Sequence, residues 1–135
     1  MSETVAEPFD LNSFSDLTST QEAGTEVHIL HPGTGEPLGI VMQVAGPDSK
    51  RQKSATALII AERAELRLRK ITGTRLEDES NRIAAASIIS WSGVMEGGKA
   101  IEYSPSVALG LLTRYPFIRE QISSYANDRA NFLKK

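Results

Sequence analysis

The chain has 135 residues, 40% hydrophobic and 24% charged, with a formal net charge of −2, which is the size and balance of one globular domain with its own core. It contains no cysteine, and that excludes a disulfide framework, a thiol nucleophile and a cysteine-type zinc site. A mean hydropathy of −0.23 and the lack of a long apolar run exclude a membrane helix, and the acidic, polar start Met1-Ser2-Glu3-Thr4 shows no targeting peptide, so a soluble intracellular protein is expected.

Residues 1–25 are rich in Ser, Thr, Glu and Asp and are expected to form a flexible acidic arm. Phe9, Leu11, Phe14 and Leu17 give this arm a sparse apolar pattern that could dock on a partner or on the chain's own body. Residues 26–135 are expected to form a single, mostly helical domain that opens with a hairpin. Glu26–Leu30 and Leu38–Val44 alternate as strands should, with Val27 and Ile29 on one side and Ile40, Met42 and Val44 on the matching one. The turn formers His31-Pro32-Gly33-Thr34-Gly35-Glu36-Pro37 join them in a broad loop.

A helix is predicted from the Asp48/Ser49 cap to about Thr72, with Ser49 and Gln52 as a capping box and Gly73 as its stop. Thr74-Arg75-Leu76-Glu77 reads as a second capping box, opening a helix through Ile83, Ala86 and Ile89 toward Trp91. Gly93 and Gly97-Gly98 mark turns, and Ile101 and Tyr103 suggest a short extended piece. Ser104-Pro105 starts another helix, and Pro116 opens the last one, with Ile118, Ile122, Tyr125 and Phe132 on one side. The expected fold is mainly α with a small N-terminal β-hairpin (α+β), about four helices, in a single domain.

Catalytic and ligand motifs are scarce. Gly93-Val94-Met95-Glu96-Gly97-Gly98-Lys99-Ala100 has the spacing of a phosphate-binding loop as far as Lys99. Ala100 stands where a magnesium-ligating hydroxyl is required, and Glu96 brings negative charge toward the phosphates, so a glycine turn is the better reading. His28 and His31 are the only histidines, too few for a three-histidine zinc centre. No nucleophile elbow or paired-acid motif stands out. Glu77-Asp78-Glu79 reads as favourable charge at a helix start, and Trp91, Tyr103, Tyr115 and Phe117 as core anchors. No enzyme activity, cofactor or metal is expected.

Charge is distributed unevenly. The first 46 residues carry seven acids and no Lys or Arg, whereas Ser49 to Arg75 carries eight bases against Glu62 and Glu65. On a continuous helix Arg63, Arg67 and Lys70 would share one face, giving a candidate surface for phosphates or for a protein. The acid excess overall, the interrupting glutamates and the lack of interleaved aromatics weigh against nucleic acid. A small nucleic-acid-binding module using the basic helix 49–75 is therefore the alternative reading.

Four stretches, in order, carry a resemblance. His31-Pro32-Gly33-Thr34-Gly35-Glu36-Pro37-Leu38-Gly39-Ile40 resembles a hairpin motif of the small tail assembly chaperones of long-tailed (siphovirus-type) bacteriophages. Trp91-Ser92-Gly93, Tyr115-Pro116-Phe117-Ile118-Arg119-Glu120-Gln121-Ile122 and Asn127-Asp128-Arg129-Ala130-Asn131-Phe132 are similar to later motifs of the same family. The resemblance implies a non-enzymatic protein of the host bacterial cytoplasm, absent from the mature virion. Such a protein coats the tape-measure protein, helps recruit the tail-tube protein, self-associates and carries no cofactor. It also implies ribosomal frameshifting near the end of the frame, for which Lys134-Lys135 is the expected slip site. No partner-binding residue is carried over from the family. The charge asymmetry itself suggests head-to-tail contact, with the acidic arm of one copy, carrying Phe9, Leu11, Phe14 and Leu17, reaching the basic segment with Arg63, Arg67 and Lys70 of the next. Such contacts build a ring or a spiral.

Overall fold

The hairpin is the seed of a three-stranded antiparallel sheet. The structure, a computed structural model, describes residues 7–133, so Lys134 and Lys135 lie outside the described residues. Strands β1 (Thr25–Leu30) and β2 (Pro37–Val44) pair as the expected hairpin, with Val27 opposite Met42, Thr25 opposite Val44 and a register shift between His28 and Leu30. Their inward residues Val27, Ile29, Met42 and Val44 are buried while Glu26, His28 and Leu30 face outward. Period-two patterning thus selects the buried face, as sheet geometry requires.

A third strand, β3 (Ile88–Ser92), pairs with β2 and places Trp91 opposite Met42. This corrects the expectation of a helix running on toward Trp91. The preceding helix α3 (Gly73–Ser87) passes into β3 with no intervening loop, because Ile88 already has extended backbone (ψ 126°). Gly93 follows at φ 78°, and a Cβ there would lie 2.0 Å from the Gly39 carbonyl oxygen. Only glycine allows that approach between β2 and the end of β3.

Five α-helices occur among the described residues, against about four expected. The additional one, α1 (Leu17–Ala23), arises within the segment expected as arm. Helices α3, α4 (Pro105–Arg114) and α5 (Pro116–Ala126) pack together against the inner sheet face. There Ile88, Ala108, Leu112, Ile118 and Ile122 join the strand residues in one core. Each fully buried Ile or Leu contributes about 1.5–3 kcal/mol relative to exposure. Ser104 caps α4 by accepting from the Val107 N–H, and Pro116 occupies the first turn of α5, both as expected. Phe132 is buried, but from a separate 3-10 turn, Arg129–Phe132, and not from the last helix. At the end of β1 the Gln121 side chain both accepts from Leu30 N–H (2.8 Å) and donates to Leu30 C=O (2.9 Å), so the last backbone groups of this edge strand are paired with α5.

Helix α2 (Lys50–Glu65) lies outside this core, packed on α3. Its cap is Ser49, which accepts from the Gln52 N–H. The reciprocal half of the capping box is not made: the Gln52 side chain donates instead to Ala126 C=O (3.4 Å), tying α2 to the end of α5. The helix stops at Glu65 and not near Thr72, because Arg67 adopts left-handed backbone (φ 52°) while its N–H bonds back to Ala64 C=O. Gly73 is accordingly the first residue of α3, capped by Thr72 and not Thr74.

Candidate functional site

The early stop of α2 dissolves the predicted basic stripe. Arg63 remains on the helix, while Arg67 and Lys70 fall in the connection that follows, so the three do not share a helical face. Arg63 is also engaged within the fold. Its guanidinium grips Glu79 of α3 through Nε (2.9 Å to Oε2) and Nη2 (to Oε1). Glu79, buried at 4% exposure, accepts in addition from Arg75 Nε (2.9 Å). Beside it Glu62 of α2 pairs with Arg82 of α3 (2.6 Å). Hydrogen bonding from Arg63 holds the Glu79 carboxyl below its ordinary range, and Arg82 does the same for Glu62. These residues form an alternating charge network that fixes α2 to α3. Glu77-Asp78-Glu79 lies beyond the first turn of α3, which starts at Gly73, so it is not charge at a helix start, and Glu79 instead joins two helices. Arg67, Arg69 and Lys70 stay exposed, with no ion pair among the described residues.

A second cluster gathers at the start of α2. Gln21 of α1, fully buried, donates to Asp48 Oδ2 (3.0 Å) and accepts from Asp48 N–H (2.6 Å). Arg129 clasps the same carboxylate through Nε and Nη2, both at 2.8 Å. Glu22 accepts from the Lys50 N–H (2.7 Å), placing negative charge at a helix N-terminus. Asp48 is thus the knot between α1, α2 and the C-terminal turn. The arm expected over residues 1–25 contributes this docked helix to the body.

Ahead of α1 the apolar pattern is left open. Phe9, Leu11 and Phe14 are 63%, 76% and 44% exposed, and Leu17 is half-buried. Residues Leu11–Phe14 form one 3-10 turn capped by the Asp10 side chain, which accepts from Asn12 N–H (2.9 Å). The rings of Phe9 and Phe14 stand 5.1 Å apart. The result is a small, organised apolar knob from which Leu11 stands largely exposed.

A groove of about 440 Å³ runs between α2, α3 and α4. Ala55 and Leu58 form one wall, Ala85 and Ala86 the floor, and Tyr103, Pro105 and Leu109 the other wall, with Arg51 and Arg82 as its charged members. Leu58 is 57% exposed. The spacing of Arg51, Ser54, Ala55 and Leu58 is a helical stripe that sequence reading passed over in favour of the bases. The opposing residues come from chain separated by more than twenty positions, so no local signal announces them.

The other candidates resolve into local structure. Gly97 and Gly98, at φ 58° and 80°, form the turn of a tight hairpin between β4 (Met95–Glu96) and β5 (Lys99–Ala100). No helix follows Lys99, and Glu96 pairs with Arg114 (3.2 Å). The Nδ1 atom of His31 accepts from the N–H groups of Gly33 and Thr34 (2.9 and 3.1 Å), organising the hairpin loop. Trp91 and Tyr103 meet edge to face, each donating to a backbone carbonyl, of Ile101 and Ile88 respectively. Tyr115 is exposed at 40% and is not a core anchor. Among the described residues no helix is long and apolar enough to cross a membrane. No family model, curated protein or solved structure matches this chain.

Proposed function

We propose that the chain is a non-enzymatic tail assembly chaperone of a long-tailed bacteriophage. In this reading it oligomerises, shields the tape-measure protein and helps recruit tail-tube subunits in the host bacterial cytoplasm, and it is absent from the mature virion. The reading joins the motif resemblance to one structural observation: a small chain exposes two separated sets of large apolar side chains. One is the knob of Phe9, Leu11 and Phe14. The other is Ile60 on α2 and Leu66 just past its end, at 61% and 59% exposure. Separated patches suit a protein that must join copies of itself and also cover an aggregation-prone helical client. Many weak contacts then add along the client.

The test is co-expression with the tape-measure protein of the same genome. The client should become soluble and co-purify with this chain, and an Ile60→Asp, Leu66→Asp variant should lose that protection. A client equally soluble without the chain, or never retained by it, overturns the reading. The alternative, a nucleic-acid-binding module, is favoured by the exposed bases of the segment 49–75, Lys50, Arg51, Lys53, Arg67, Arg69 and Lys70, and a salt-sensitive gel shift abolished by neutralising them would support it.

A further inference from the structure

We propose that the groove between α2, α3 and α4 receives the apolar knob Phe9–Phe14 of a second copy of this chain. The proposal deepens the self-association in the chaperone reading and rests on that part of it alone.

Both surfaces are built before they meet. The knob is a capped turn with two rings in tilted contact, and Leu11 projects from it at 76% exposure. The groove already stands open between α2, α3 and α4, and its volume of about 440 Å³ lies in the range of pockets that engulf compact apolar groups. Docking a preformed turn into a preformed groove loses little conformational freedom.

Charge selects the occupant. Arg51 and Arg82 line the groove and no carboxylate does. Arg82 is shared with Glu62 and Asp78 inside the fold, which leaves exposed Arg51 to meet an incoming acid. The knob carries Asp10, with Glu7 just before it, in a stretch of 46 residues without a Lys or Arg. Complementary charge would steer the approach and apolar burial would hold the contact.

The contact is between copies because the chain's own knob is elsewhere. None of the groove's lining residues comes from the knob or from α1. Helix α1 is fastened through Gln21 to Asp48 and lies by the C-terminal turn, which sets where the knob starts. Knob and groove are different surfaces of one subunit, so the contact is heterologous and propagates.

The absence of cysteine makes the test clean, since the introduced thiols are the only ones present. Differently tagged Leu11→Cys and Leu58→Cys chains, mixed and oxidised, should form a mixed disulfide. The double variant should give a ladder of linked copies. A Leu38→Cys chain, with its thiol outside the groove, sets the background. Leu11→Asp and Leu58→Asp should each weaken association at least about tenfold in sedimentation. If Leu58→Asp fails to fold, Leu11→Asp, at a fully solvated position, decides. Mixed product no greater than the Leu38→Cys background, or a double variant that only closes within one chain, overturns the proposal. Client solubility is scored on the same variants. Lost cross-linking with client protection retained refutes this contact and spares the chaperone reading, whereas lost protection with cross-linking retained does the reverse.

Discussion

Asp48 shows how one side chain can hold three parts of a chain together. Its carboxylate receives Arg129 twice and Gln21 once. The Arg129 hydrogen bonds, and then that from Gln21, hold its pKa well below the usual carboxylate range. The folded protein therefore binds fewer protons at this site than the unfolded chain, whose aspartates titrate near about 3.9. Stability from Asp48 is complete above that value and is lost as pH falls toward the depressed folded value. Glu79 and Glu62 are depressed in the same sense, by Arg63 and Arg82. The Asp48→Asn variant should be less stable at pH 7 yet lose less stability than the parent between pH 5 and pH 2. Urea midpoints across that range measure it, and two parallel curves would show that Asp48 carries no share of the acid transition.

At the scale of elements, α2 is a helix that buries little of itself. Of its sixteen residues only Gln52 and Ile59 are buried, so the Arg63–Glu79–Arg75 and Glu62–Arg82 pairs supply much of its attachment to α3. Removing the Glu79 charge leaves two half-buried guanidinium groups short of their acceptor, a costly state away from bulk water. Glu79→Gln should therefore raise amide exchange along α2 well above that of α4 and α5. Uniformly raised exchange would mean that α2 opens only with the whole domain. The sequence made some elements legible and hid others for physical reasons. The strands of the hairpin and the caps at Ser49 and Ser104 are written in short-range chemistry, and both were readable. The end of α2 was not, because an arginine, Arg67, takes the left-handed position that glycine normally signals. Strand β3 was masked because Ile83, Ala86 and Ile89 continue a helical period across a junction with no Gly or Pro. The groove and the Glu79 network join residues from separate helices, and their adjacency exists only once the chain is folded.

For the whole molecule, the placement of α1 divides the acidic segment into two parts with different roles. Residues up to Asp16 carry the exposed knob, whereas Leu17–Ala23 contributes the buried Gln21 and the Glu22 contact at the start of α2. A truncation through Asp16 should leave the thermal midpoint close to that of the full chain while lowering oligomer size. Extending it through Gly24 should unfold the Asp48 knot and drop the midpoint by several degrees, since a buried donor or acceptor left unpaired costs about 1–3 kcal/mol. Oligomers of the full chain should shrink in high salt without disappearing, because exposed ion pairs contribute only about 0–1 kcal/mol each and apolar burial persists. Concentration then separates the two geometries open to a head-to-tail contact. A ring closes at a fixed number of copies and its sedimentation boundary stops moving, while an open spiral lengthens as protein is added. Growth without a plateau in the full chain, absent after truncation at Asp16, is the outcome expected on the proposed chaperone function. Oligomers identical in size before and after that truncation would place self-association on a helical face and remove the arm from it.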